Sequence, residues 1–101
     1  MAVGMLLAGE GITRDMYVAL TEKMFGNHPM REDQSPEGLL VHTSGESPDG
    51  WYIYDVWESK AQFEEFMSSR IGPAGAELGM AGNPPTPQFY EIETLVKGPA
   101  L

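Results

Sequence analysis

The chain has two histidines, and one of them sits where it could meet a carboxylate. His42 and Asp55 flank the segment Glu46-Ser47-Pro48-Asp49-Gly50. Pro48 pre-sets one backbone dihedral and Gly50 tolerates a positive φ, so this segment is predicted to be a tight turn between two strands. If Ser47 to Gly50 closes the hairpin without a bulge, Glu46 faces Trp51 and His42 faces Asp55. Residues opposed in this way lie on one side of the sheet, within side-chain reach. A His–Asp pair fixes the imidazole tautomer and raises its basicity, the usual arrangement for a general base. Asp55 shares its strand side with Trp51, Ile53 and Trp57, which places the pair against a surface suited to flat apolar molecules. The same pair would equally satisfy two polar groups at a dimer interface. A bulge at Gly50 would shift the register and separate it.

The other candidates are weaker. His28 lies in a polar loop, where it is either solvated or part of a lid that closes on ligand. Tyr52, Tyr54 and Tyr90 read as core or pocket wall, with the Tyr54 hydroxyl a candidate substrate contact. Arg70 follows the apolar stripe of a helix and would bind a substrate carboxylate or pair with a neighbouring Glu. Glu91 and Glu93 are expected at an edge or seam. Seven methionines suit either an adaptable pocket lining or ordinary core packing. Two histidines with scattered acids make no metal-ligand spacing, and no glycine-rich turn precedes a helix with the lysine of a phosphate loop. No metal and no cofactor is expected.

The elements that must position these residues follow from the hydrophobic pattern. Ala2 to Ala8 is apolar on both parities, as a central strand is. Thr13 is a helix cap, and Tyr17, Leu20 and Met24 recur at helical spacing before Gly26 ends the helix. Asn27 to Glu37, with Pro29 and Pro36, is a long loop for so small a domain. Gly38 to Ser44 and Trp51 to Trp57 are the hairpin strands. Ser59 caps a second helix, with Gln62 completing a capping box and Phe63, Phe66 and Met67 as its buried stripe. Gly72-Pro73 breaks that helix and starts a short one through Leu78. Asn83 to Pro87 is an extended connector, and Gln88 to Val96 the last strand.

This βαββαβ order predicts a single α+β domain over residues 1–101, a four-stranded antiparallel sheet with its helices on one face. The 101 residues carry a net charge of −9, with 6 basic residues scattered among 15 acidic ones. That balance argues against nucleic acid and anionic membrane surfaces as partners. The chain has no cysteine, which excludes thiolate chemistry and fits a cytoplasmic protein. The apolar start is short, lacks a charged leader and reads as a strand rather than a signal peptide, and no run reaches the roughly 20 apolar residues of a membrane span.

Two helices cover one sheet face only, yet the third strand is apolar on both. With Tyr52, Tyr54 and Val56 turned to the helices, Trp51, Ile53 and Trp57 would lie on the open face. Leaving them there is costly at ~25 cal/mol per Å² and creates a sticky patch. A homodimer packed sheet on sheet is therefore expected.

The segments Gly38-Leu39-Leu40-Val41-His42, Asp49-Gly50 and Asp55-Val56-Trp57-Glu58-Ser59, followed by Phe63 and Phe66, resemble the small dimeric α/β-barrel proteins. That superfamily includes antibiotic-biosynthesis monooxygenases, small polyketide cyclases, heme-degrading monooxygenases and stress-response barrel proteins. The resemblance implies a ferredoxin-like protomer, a dimer built by sheet packing, and one pocket per protomer between sheet and helices or within the barrel. It implies that Trp57 lines the pocket. The asparagine that some cofactor-free monooxygenases carry four residues earlier is Ile53 here, a departure from their mechanism. Nothing between Ser59 and Met80 is a histidine, so heme is not expected. The reading is of a cofactor-independent enzyme acting on a hydrophobic aromatic or polyketide-like metabolite, as monooxygenase, cyclase or isomerase. The alternative is a non-catalytic ligand-binding or stress-associated barrel.

Overall fold

The computed structural model of the chain describes residues 2–9, 11–80 and 86–101. Strand β1 is Val3–Ala8, β2 Leu39–Ser47, β3 Gly50–Trp57 and β4 Gln88–Glu91. Helix α1 is Arg14–Phe25, α2 Lys60–Phe66 and α3 Gly72–Glu77, with a π-helical turn, Met67–Ile71, between the last two. A short 3-10 turn, Glu32–Gln34, interrupts the long loop. The strands form one antiparallel sheet in the order β2-β3-β1-β4. This small α+β architecture is compatible with a ferredoxin-like fold.

Local chemistry accounts for the boundaries. The Thr13 side chain accepts a hydrogen bond from the Met16 amide at 3.2 Å, and Gly26 closes α1 in the left-handed region at φ 82°. Ser59 Oγ accepts from the Gln62 amide at 3.2 Å and donates to Gln62 Oε1 at 3.0 Å, so the two cap α2 together. Gly50 takes φ 122°, which lets a two-residue loop close the hairpin with Ser47 opposite Gly50. The irregularity falls elsewhere, between Leu39 and Val41. The expected register therefore holds: Glu46 faces Trp51 and His42 faces Asp55.

The sheet faces are reversed from expectation. Trp51, Ile53, Asp55 and Trp57 turn to the helices, and Tyr52, Tyr54 and Val56 turn away. Met5, Trp57 and Phe63 form the buried core, joined by Val3, Leu7, Ile53, Phe66 and Phe89. Burying the indoles under the helices removes more apolar area from water than burying phenols, whose hydroxyls need partners. On the open face Tyr54 lies across Gly4 and Tyr52 across Gly45, where a Cβ would collide with each phenol. The last strand also ends earlier than the alternation to Val96 suggests. It pairs with β1 only to Glu91, and the Ile92 amide reaches the Ala2 carbonyl at 3.0 Å as the ladder runs out of β1. Of the Pro-rich connector, Asn83 to Pro85 lie outside the described residues.

Candidate functional site

Four side chains from three elements join in one hydrogen-bonded chain. His42 Nδ1 lies 2.7 Å from Asp55 Oδ1, and Tyr17 Oη lies 2.6 Å from His42 Nε2. The Trp57 Nε1–H donates to Asp55 Oδ2 at 3.2 Å. The hairpin register supplies His42 and Asp55, the two-residue repeat of β3 brings Trp57 to the same side, and α1 lowers Tyr17 onto them. An ionised Asp55 can only accept, so it receives both N–H groups. The hydrogen of neutral His42 is then on Nδ1, and its Nε2 accepts from the Tyr17 hydroxyl. The phenol oxygen is therefore the end of the chain. A proton leaving Tyr17 has an imidazole to receive it, and the resulting imidazolium has a carboxylate beside it.

Burial sharpens this arrangement. Trp57 is fully buried, Tyr17 is 8% exposed, and the Asp55 side chain keeps 7% of its surface against 24% for His42. In such surroundings a carboxylate with both oxygens satisfied orients its neighbours strongly, because the interaction is poorly screened. The four residues form the polar end of an apolar cavity of about 90 Å³ between the sheet and the helices. Met5, Met24, Met30 and Met67 contribute to its wall, with Ile53, Phe63 and Phe66. Pro36 and Met30 come from the long loop, so that loop forms part of the enclosure.

Tyr17 is the residue that the sequence reading passed over, having placed it in the helical core stripe. The signal was present: a polar-tipped side chain on a buried stripe needs a partner, and His42 offers a free ring nitrogen on the facing sheet. Around the Tyr17 ring stand three heteroaromatic rings. His42 stacks on it at 6.0 Å, His28 meets it edge-on at 5.4 Å and Trp51 tilts against it at 5.7 Å. His28 is thus half-buried rather than a solvated loop residue. Its Nδ1 and the Trp51 Nε1 are both buried without a hydrogen-bond partner among the described residues. Leaving such an atom unpaired costs about 1–3 kcal/mol.

Of the expected substrate contacts only Ile53 and Trp57 line the cavity; Trp51 and His28 pack on Tyr17 without lining it, and Tyr54 and Arg70 are not part of this assembly. Tyr54 lies on the opposite face, because the strand alternation that brings in Trp57 sends Tyr54 outward. Arg70 leaves the pocket as well: its Nη2 donates to the Met24 carbonyl at 2.9 Å, and its guanidinium lies 5.1 Å over the Phe25 ring. The end of α1 offers unpaired carbonyls, which attract a cation more than a distant carboxylate does. Among the described residues no three His, Asp or Glu side chains converge on a metal-sized space, and no helix is long and apolar enough to cross a membrane.

No protein-family model and no curated protein matches the chain. Among solved structures it is similar to Rv0793 from Mycobacterium tuberculosis, with a TM-score of 0.58 and 17% identity over 95% of this chain and 97% of that one. At this identity the likeness speaks for the fold alone: a small α+β domain built on a four-stranded antiparallel sheet.

Proposed function

We propose that the protein is a cofactor-independent enzyme that moves a proton on a compact hydrophobic, ring-containing metabolite. The supporting observation is the buried chain from Tyr17 through His42 to Asp55, which ends at an apolar cavity. Trp57 and the methionines would hold the substrate. Tyr17 and His42 would exchange the proton, and Asp55 would hold the imidazole in its tautomer. This is the step shared by phenolate oxygenation, cyclisation and isomerisation, the monooxygenase- and cyclase-type chemistries of the barrel family that the sequence resembles. A cavity near 90 Å³ is smaller than the roughly 150 Å³ engineered apolar cavity that takes up benzene, so it excludes a fused polyketide and must widen to admit even one ring. Methionine walls give room to widen it.

The proposal includes a cytoplasmic homodimer. Leu6, Tyr52, Tyr54 and Tyr90 lie on the open sheet face, with Tyr90 52% exposed, and a partner's sheet would cover them as in a dimeric barrel. A non-catalytic ligand-binding or stress-associated protein is the second reading, favoured by the small and mostly apolar cavity. Deuterium incorporation into a panel of single-ring ketones and phenols in D₂O separates the two. The enzyme reading expects exchange above buffer for at least one compound. Folded Tyr17→Phe and His42→Ala variants should lower it about 10²–10⁴-fold, the usual range for a positioned acid or base. A folded His42→Ala variant that exchanges as fast as the parent would sink the mechanism. Binding with no exchange across the panel would leave the binding protein.

A further inference from the structure

Among the described residues the cavity wall has five polar-tipped side chains, Tyr17, Thr21, His42, Asp55 and Trp57. Every hydrogen they could offer is already committed. The Thr21 hydroxyl donates to the Tyr17 carbonyl at 2.8 Å, one turn earlier in α1. That direction is fixed, because a carbonyl only accepts. The Trp57 N–H donates to Asp55 Oδ2 at 3.2 Å, and an indole only donates. His42 Nδ1, 2.7 Å from Asp55 Oδ1, gives its hydrogen to the ionised carboxylate. Neutral His42 then keeps a lone pair on Nε2, and the Tyr17 hydroxyl donates to it across 2.6 Å. What remains on these groups is lone pairs, on the oxygens of Thr21, Tyr17 and Asp55. Thr21 is 4% exposed and Tyr17 8%, so bulk water does not rearrange the pattern.

We propose that the cavity takes its ligand through a neutral hydroxyl that donates to the Tyr17 oxygen, and that it selects against a ligand whose only polar group is a carbonyl. This deepens the proton-transfer reading and rests on it. A carbonyl oxygen set against lone pairs gives up its hydrogen bonds to water and gains none from these side chains. An anion fares worse, since Asp55 repels it where screening is weak. An ammonium would leave water for a wall that is otherwise apolar, and Asp55 already receives two N–H groups. A hydroxyl brings the one thing the wall lacks, a hydrogen to donate, and brings no charge.

The ligand's hydroxyl thereby becomes the first member of the proton chain. Its proton passes to the Tyr17 oxygen while the Tyr17 proton passes to His42 Nε2. The ligand's O–H bond breaks and its electron pair stays on the ligand oxygen. A new O–H bond forms on Tyr17 and an N–H bond on His42. The ligand is left as an oxyanion and His42 as an imidazolium beside the Asp55 carboxylate, so charge is conserved. No oxidant or reductant is required. Thr21 takes no part in the transfer; by turning its hydrogen to the helix backbone it removes a competing donor from the wall.

The test compares cyclohexanol with cyclohexanone, which share a ring and differ in whether they carry a donor. Each is titrated into the protein while the methyl signals of Met24 and Met30 are followed, and the ¹⁵N shifts of the His42 ring are recorded on the same sample. The expected result is a hydrogen on Nδ1, none on Nε2, and about tenfold tighter binding of the alcohol, the worth of one hydrogen bond made against one lost. His42→Leu frees the Tyr17 hydroxyl to donate into the cavity, so the preference should fall below about twofold or reverse. If that variant does not fold, the ring shifts and the two parent affinities decide. Equal affinities, a ketone preference, or an alcohol preference that survives His42→Leu overturns the donor selection and leaves the proton chain standing. A hydrogen on Nε2 overturns both, because the Tyr17 oxygen would then accept from His42. If neither probe moves the methionine signals, the cavity itself fails, and the selection with it.

Discussion

The two faces of the sheet are built from the same strand by alternate residues, and they differ in kind. On the helix side β3 places Trp51, Ile53, Asp55 and Trp57, where indole, carboxylate and imidazole bond to one another under a helical roof. On the other side it places Tyr52, Tyr54 and Val56, with the two phenols lying on glycines of neighbouring strands. The covered face bonds Tyr17, His42, Asp55 and Trp57 into one network, while the Trp51 and His28 ring nitrogens stay without a partner among the described residues. On the open face of the protomer Tyr52 and Tyr54 are partly exposed and Tyr90 is 52% exposed, and no such network joins them among the described residues. Polar chemistry is concentrated where burial makes each hydrogen bond count.

Substitutions on the two faces should separate this contrast, beginning with the core. Trp57→Ala should lose about 3–5 kcal/mol of stability in urea unfolding, because it opens a large cavity and unpairs an Asp55 oxygen. The matching change across the strand, Tyr54→Ala, should cost about 1 kcal/mol or less. Similar losses at both positions would mean that the open face is as tightly packed as the covered one. Asp55→Ala should come next, at about 2–3 kcal/mol, since it strands the N–H groups of His42 and Trp57 in the interior. A loss under about 0.5 kcal/mol would show that water replaces the carboxylate and that the chain is less sealed than its 7% exposure implies. Leu6→Lys, on the open face of β1, should change protomer stability least, by about 0.5 kcal/mol or less. Its effect should instead appear in sedimentation, as a shift from dimer to monomer at micromolar concentration. A parent protein that already sediments as a monomer would remove the dimer.

Much of the architecture was legible in the residues. Helix caps at Thr13 and Ser59, the Pro48-Asp49-Gly50 turn and the alternation of β3 each rest on local stereochemistry, which acts on neighbours in sequence. The turn fixed the hairpin register, and the register alone set His42 opposite Asp55. The long reach of β4 to Val96 was misread because alternation marks two-sidedness, while a strand lasts only as long as its partner does.

Tertiary packing decided the rest. Periodicity sorts the residues of β3 into two sets but does not say which set the helices cover; that depends on how α1 and α2 fill the space above Met5 and Trp57. The same packing brought Tyr17 down onto His42, His28 and Trp51 against Tyr17, and Arg70 to the end of α1, contacts between residues far apart in the chain. The sequence determined that an imidazole and a carboxylate would meet across a hairpin. Only the tertiary structure decided that they meet inside, under a phenol and beside a cavity, because burial belongs to the face a helix covers and not to the strand that carries the residues.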